Sequence, residues 1–304
     1  MATPYQGVMH VPATIFKDDF SLDLPAFERM VDFCVRTGAS VITWPNHKSE
    51  SLSLTFEERK VCAEVLIKVV ARRIPVVMHV SCLAVEDTMA LARHSQEIGA
   101  DGILAITPYF WKPTQQGLYD YFVRLGTSID LPLLAYNSPG YLSGVGFDGE
   151  LTRRLIERLP NFVGMKEASF NSETFLEIAR VAYALRPDFA LFTGVEYLVP
   201  SVPLGGTGAY FAGASVAPNM CNQLYDACVR SDWQRARELQ FKLSRLWDLF
   251  RDQAPSTFKA AMTVMGRPIG PTRPPLPTAA PERYAHVRKD LAELGILESE
   301  PHGW

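Results

Sequence analysis

Eight short runs rich in β-branched residues, each followed by a longer segment of helical period, predict an α/β chain built around a parallel sheet. The runs recur about every 25 to 30 residues, whereas a doubly wound sheet usually ends after five or six strands, so the predicted fold class is a (β/α)8 TIM barrel with additional C-terminal helices. The predicted strands are 7–16, 39–44, 75–80, 102–107, 132–136, 162–166, 189–193 and 208–212. Helical segments such as 24–36, 55–73, 85–98 and 172–185 lie between them. Thr55-Phe56-Glu57-Glu58 reads as a capping box, in which two side chains satisfy the orphan N–H groups of a helix start. Thr37-Gly38-Ala39 and Ile98-Gly99-Ala100-Asp101-Gly102 each end a helix on glycine and lead straight into a strand.

After the eighth run the pattern changes, because 219–249 and 256–265 are helical in period and no further strand follows. Pro268, Pro271, Pro274, Pro275, Pro277 and Pro281 suit an extended strap, since proline fixes φ and removes a backbone donor. A last helix is predicted over 281–297. The expected organisation is one barrel domain, residues 1–230, with a C-terminal helical extension, residues 231–304, packed on it.

The composition is that of an ordinary globular chain: 304 residues, 47% hydrophobic, net charge -3 from 30 basic and 33 acidic residues. No basic run suits a phosphate backbone, so nucleic acid is not an expected partner. No apolar stretch approaches the roughly 20 residues that cross a bilayer, and Met1-Ala2-Thr3-Pro4-Tyr5 is not the start of a signal peptide, so a cytoplasmic location is expected. Cys34, Cys62, Cys82, Cys221 and Cys228 are odd in number and contain no Cys-x-x-Cys pair, which fits reduced thiols better than disulfides or a structural zinc site.

In a barrel of this kind the polar residues at the C-terminal ends of strands carry the chemistry. They are His10, Asn46-His47-Lys48-Ser49-Glu50-Ser51, His79 with Ser81, Thr107-Pro108-Tyr109, Tyr136-Asn137, Lys166-Glu167, Thr193-Gly194-Val195-Glu196 and Gly213. Lys166 ends the apolar run Phe162-Val163-Gly164-Met165, where burial disfavours a lone ammonium and favours an amine that attacks carbonyl carbons. The alternative is a strand-end lysine that reaches solvent or pairs with Glu167. Tyr136 ends the preceding strand, and a phenol beside an amine can shuttle protons while an imine forms; taken alone it reads equally as a packing aromatic.

Thr107-Pro108-Tyr109-Phe110, Tyr136-Asn137-Ser138-Pro139-Gly140, Gly164-Met165-Lys166-Glu167-Ala168, Thr193-Gly194, Leu204-Gly205-Gly206-Thr207-Gly208 and Arg273-Pro274-Pro275-Leu276-Pro277 occur in this order along nearly the whole chain. In these phrases and their spacing the sequence resembles the dihydrodipicolinate synthase / N-acetylneuraminate lyase superfamily of class I aldolases. The resemblance implies a carbon–carbon or carbon–oxygen lyase that binds a pyruvate-type 2-oxo acid as a Schiff base, with no cofactor and no metal. It makes Lys166 the imine-forming lysine and Tyr136 its proton shuttle. Ser49, Tyr109, Asn137, Tyr141, Gly194 and Tyr210 fall at positions that line the substrate site. It also implies a homo-oligomer, a tetramer built as a dimer of dimers, and exposed Phe110 and Trp111 would suit cover by a neighbouring subunit.

Departures from the family pattern are concentrated after the second strand. There Gly-Thr-Thr-Gly-Glu is usual, the threonines holding the substrate carboxylate and relaying protons, and this chain has Asn46-His47-Lys48-Ser49-Glu50. His47 is expected to take over proton transfer and Lys48 to pair with the carboxylate, unless the two side chains face solvent. Phe110 replaces a tyrosine, and Tyr141 an arginine that grips aspartate semialdehyde in the synthases, so authentic synthase activity is not expected. Trp44, Tyr109, Phe110, Trp111 and Tyr141 suggest an apolar or aromatic substrate tail, hence a hydratase-aldolase or lyase. Two other readings remain. One is a metal-dependent barrel enzyme using His10, His47 and His79, and the other is a non-catalytic ligand-binding protein on an aldolase scaffold.

Overall fold

Each predicted strand is present in the computed structural model, which describes residues 3–194, 197–252 and 254–304. The strands are β1 (Gly7–His10), β2 (Val41–Trp44), β3 (Val76–His79), β4 (Gly102–Ile106), β5 (Leu133–Asn137), β6 (Phe162–Glu167), β7 (Ala190–Gly194) and β8 (Gly208–Phe211). They follow one another in chain order and close into a (β/α)8 barrel. The first strand stops well short of residue 16, where Pro12 has no N–H to give a ladder. Contacts group the chain into two units, residues 3–6 with Pro75–Ala209, and Gly7–Ile74 with Tyr210–Trp304.

In the first unit β3 to β7 pair in parallel, and α3 (Val85–Glu97), α4 (Gln115–Gly126), α5 (Gly149–Arg158) and α6 (Ser172–Leu185) pack in sequence on one another, with the short α7 (Leu198–Ser201) following β7. The strands read as continuous apolar runs because both faces are covered. Phe122 packs edge-on to Phe147 at 5.0 Å and Phe162 to Phe189 at 5.4 Å, giving the unit an aromatic core. Gly164 permits β6 and β7 to approach closely: a Cβ there would lie 2.7 Å from the Ala190 carbonyl oxygen. Between β5 and β6 the register shifts by one residue, since Leu133 pairs with Phe162 but Leu134 with Gly164, leaving Val163 as a bulge.

In the second unit β1 pairs with β2, and α1 (Leu24–Arg36) packs on α2 (Phe56–Val70). The capping box is formed, with Thr55 Oγ1 accepting from the Glu58 N–H at 3.2 Å and Glu58 Oε2 from the Thr55 N–H at 2.9 Å. The helix expected over 219–249 is two helices, α8 (Pro218–Val229) and α9 (Trp233–Arg251). Ser231 turns the chain with φ 58°, and Asp232 caps α9 by accepting from the Arg235 N–H at 3.1 Å. The last predicted helix also divides, into α11 (Pro281–Glu293) and α12 (Ile296–Ser299), at Gly295 with φ 72°.

The proline-rich strap after α10 (Ser256–Val264) contains no helix or strand and is tied down by charge. Lys259 and Glu50 form a buried ion pair at 2.7 Å, and the Arg273 N–H donates to the other Glu50 oxygen at 2.9 Å. Arg273 donates to the Ser53 carbonyl at 2.8 Å, pairs with Glu58, and lies over the Phe16 ring at 4.2 Å. At the chain end both Glu300 oxygens accept from the N–H groups of Asn219 and Met220, at 2.8 Å each, capping α8 from a distance.

Candidate active site

Lys166 and Tyr136 meet because of the bulge at Val163. Had the pairing of Leu133 with Phe162 continued without the extra residue, Met165 would stand opposite Tyr136; instead Tyr136 pairs with Lys166 and Asn137 with Glu167. Residues opposite each other in a sheet share a face, and the Lys166 amine lies 3.8 Å from the centre of the Tyr136 ring. Lys166 is only 8% exposed, while Tyr136 is half-buried. Such an arrangement gives a partly dry amine a phenol as its immediate neighbour, which suits attack on a carbonyl carbon followed by proton transfer.

The neighbouring strand ends of the same unit supply hydroxyls. Thr107, directly after β4, is fully buried, and its hydroxyl has no hydrogen-bond partner among the described residues. Ser81, after β3, accepts from the Ile106 N–H at 2.8 Å. Tyr121 of α4 interacts with Ser81 and Thr88, which favour its ionised form, but burial dominates and pushes its phenol up to about 12. Sequence reasoning missed Tyr121, since an aromatic in mid-helix reads as core. Tyr109 is half-buried beside this group, and His79 is buried at the end of β3. At β7, Thr193 shares a hydroxyl contact with Ser201 at 3.2 Å, and Gly194 is buried. Tyr141 lies in the turn Pro139–Tyr141, and its side chain falls outside the described residues, as do Val195 and Glu196.

Asn137 is fully buried and committed to the protein. Its amide nitrogen donates to Glu167 Oε1 at 3.1 Å, and its amide oxygen accepts from the Phe147 N–H at 3.0 Å. Burial raises the Glu167 carboxyl above its ordinary range, against the opposing pull of the Ser169 and Asn137 hydrogen bonds and of Lys166.

In the other unit the loop after β2 begins with a short helical turn, His47–Ser49. His47 is exposed. Lys48 donates to the Phe250 carbonyl at 2.7 Å, in the last turn of α9 where the helix dipole is negative, and lies 5.5 Å from the centre of the Trp247 ring. Ser49 donates to the Pro12 carbonyl at 2.7 Å, and its own carbonyl accepts from Thr14 at 2.6 Å. Trp44, expected among the rings of the substrate tail, is instead a core residue: it is fully buried, packs on Phe27 at 5.4 Å and donates to Thr14 at 3.2 Å. Tyr210 is buried on β8. Burial holds the His10 imidazole down to about 3, so it is a neutral core group, and neither ring nitrogen has a hydrogen-bond partner among the described residues. Among the described residues no three His, Cys, Asp or Glu side chains gather as a metal site. Nor is any described helix long and apolar enough to cross a membrane.

Comparison with known proteins agrees with this fold. The model of the dihydrodipicolinate synthetase family matches residues 4–294. A 4-hydroxy-tetrahydrodipicolinate synthase of Thermus thermophilus is 35% identical over 92% of this chain and 93% of its own. One from Gluconacetobacter diazotrophicus is 34% identical over 97% and 99%. The crystal structure of YagE, a prophage protein of Escherichia coli K12 described as a member of the dihydrodipicolinic acid synthase family and solved with pyruvate, superposes with a TM-score of 0.91 at 28% identity, covering 96% of this chain and 99% of that one. The names of these relatives do not support the exclusion of synthase activity drawn from Phe110 and Tyr141. Matched over almost its whole length, the chain belongs to the dihydrodipicolinate synthetase family.

Proposed function

We propose that this protein is a class I aldolase or lyase that binds a pyruvate-type 2-oxo acid as a Schiff base on Lys166. The observation that carries the reading is the registered pair of Tyr136 and Lys166, with the amine over the phenol ring. Lys166 attacks the C2 carbonyl to give a carbinolamine, and loss of water leaves an iminium. That cation is an electron sink, lowering the barrier to removal of a C3 proton and to making or breaking a bond at that carbon. Tyr136 carries the protons in and out. The pyruvate complex of YagE supports the 2-oxo acid as substrate class.

The loop after β2 completes the reading. His47 takes the role of a proton-transfer group, and Lys48 binds the carboxylate by exchanging the Phe250 carbonyl, a neutral acceptor, for a full negative charge. Ser49, Tyr109, Tyr141, Gly194 and Tyr210 are the proposed surroundings of the substrate, and Asn137, its side chain taken up by Glu167 and Phe147, is proposed to support them rather than to touch it. A homotetramer formed as a dimer of dimers is part of the proposal, supported by Phe110 and Trp111, which are 82% and 72% exposed and pack edge-on at 5.3 Å. A cytoplasmic location is supported by five cysteines that form no disulfide.

Borohydride reduction with pyruvate should add the ligand mass at Lys166, and Lys166→Ala should abolish both adduct and turnover. Turnover that survives Lys166→Ala would sink the proposal. A panel of aspartate semialdehyde, sugar acids and aromatic-tailed 2-oxo acids then identifies the second substrate or product. Sedimentation showing only monomer at micromolar concentration would remove the oligomer from the reading.

A further inference from the structure

Glu167 is a buried carboxylate that the proposed chemistry does not use. It follows Lys166 in β6, is 2% exposed, and its Oε1 accepts from both Asn137 Nδ2 at 3.1 Å and the Ser169 N–H at 2.9 Å. Asn137 in turn holds the Phe147 N–H through its side chain and the Ala168 N–H, at 2.8 Å, through its carbonyl. The pair therefore joins the end of β5, the segment 138–148 that follows it, and the segment that follows β6. Gly146 is shaped to this group, since a Cβ there would lie 2.5 Å from Asn137 Oδ1.

The position of the pair matters as much as its bonds. Asn137 and Glu167 stand one step beyond Tyr136 and Lys166 in the same register, and successive residues of a strand point to opposite faces. The bulge at Val163 means that β6 runs in two registers along its length, one residue apart. In the register used by Leu133 and Phe162, Asn137 would face Lys166 rather than Glu167, and a donor amide would oppose an amine. Only the shifted register satisfies the buried carboxylate, and leaving such a group without its partners is costly.

We propose that Asn137 and Glu167 are positioning residues, a buried bracket on one face of β5 and β6 that fixes the register in which Lys166 and Tyr136 meet on the other. The same bracket holds the segment 138–148, and with it Tyr141, to the catalytic pair. The inference rests on the Schiff-base reading.

The test compares Asn137→Ala, Glu167→Ala and Glu167→Gln in the full chain, by the rate at which borohydride traps pyruvate on Lys166. Displacing reacting groups by about 1 Å costs roughly 10²-fold in rate, and that loss is expected in both alanine variants. Glu167→Gln keeps an oxygen that accepts the same two N–H bonds and should recover most of the rate. Folded alanine variants that trap at the wild-type rate would overturn the proposal, as would a Glu167→Gln variant as slow as Glu167→Ala. Should the alanine variants fail to fold, Gly146→Ala, which crowds Asn137 Oδ1, takes their place with the same expected loss. Amide hydrogen exchange at Phe147 and Ser169 reads the bracket without substrate. Faster exchange in the variants, with no imine in the wild type, would keep the bracket and sink the Schiff-base reading. Unchanged exchange would sink the bracket whatever the wild type does.

Discussion

The strand ends of β5 and β6 and the loop after β2 are both held by buried polar groups, but the partners come from different distances along the chain. Around Lys166 three anchoring bonds join neighbouring strands or the segments that follow them: Asn137 to Glu167, Ser169 to Glu167, Phe147 to Asn137. Around His47 and Lys48, besides Pro12 and Thr14, which hold Ser49, anchors arrive from the C-terminal part of the chain, from Phe250 in α9, Lys259 in α10 and Arg273 in the strap. The first arrangement is set by sheet register and tolerates little change. The second holds Lys48, Ser49 and Glu50 through partners distant in sequence, and it lies where the sequence reading expects departures from the family pattern.

The largest effect should come from Tyr136→Phe, which deletes one oxygen beside Lys166. Losing a general acid–base group lowers kcat roughly 10²–10⁴-fold, while pyruvate trapping shows that the site still binds its ligand. An unchanged kcat would remove the phenol from the mechanism and make Tyr136 a packing residue.

Next in size is Lys259→Met, which strands the Glu50 carboxylate in a buried site. Burial already pushes the Lys259 amine below its ordinary range, with Glu50 pulling it back up. Breaking one side of such a pair costs about 3–5 kcal/mol, whereas the double change Glu50→Gln with Lys259→Met leaves no lone charge and should be markedly less damaging in urea titration. If the double variant is no better than the single, the pair is not the anchor of the loop. Its effect on kcat should be smaller than that of Tyr136→Phe, which is what separates the two regions.

The smallest effect concerns pH. Burial raises the Glu300 carboxyl to about 7, although the Asn219 and Met220 N–H groups and Arg267 pull it down. A folded-state value above the unfolded one means that protonation favours the fold: the contribution is fully present below the ordinary value of 4.5 and is lost as pH rises towards 7. Glu300→Gln removes the charge and keeps one of the two acceptors, so the difference between its Tm and that of the wild type should move in its favour by about 2 °C from pH 4 to pH 8. Parallel curves for the two proteins would show that Glu300 does not titrate in this window.

The barrel was legible because its signals are local. Glycine-ended helices, strand-length apolar runs and the Thr55–Glu58 box each depend on residues a few positions apart, and the lysine and tyrosine were visible as strand-end polar groups. The bulge at Val163 was not, because inserting one residue changes pairing without changing composition. Trp44 misled because a strand-end ring can point to either face, and only the packing against Phe27 decides. The break between α8 and α9 rests on Ser231 and Asp232, which interrupt an otherwise unbroken helical period.

Synthesis gives the Glu50–Lys259 pair a temporal meaning. At about 5–20 residues per second, Glu50 leaves the ribosome roughly 10 to 40 s before Lys259 is made, and Arg273 follows later still. Throughout that interval the glutamate lacks Lys259, and its charge is best kept in water. The Glu50 end of the loop after β2 is therefore finished last, by the arrival of the chain's own C-terminal segment, and a nascent chain halted before Lys259 carries both barrel lysine and tyrosine but neither partner of Glu50.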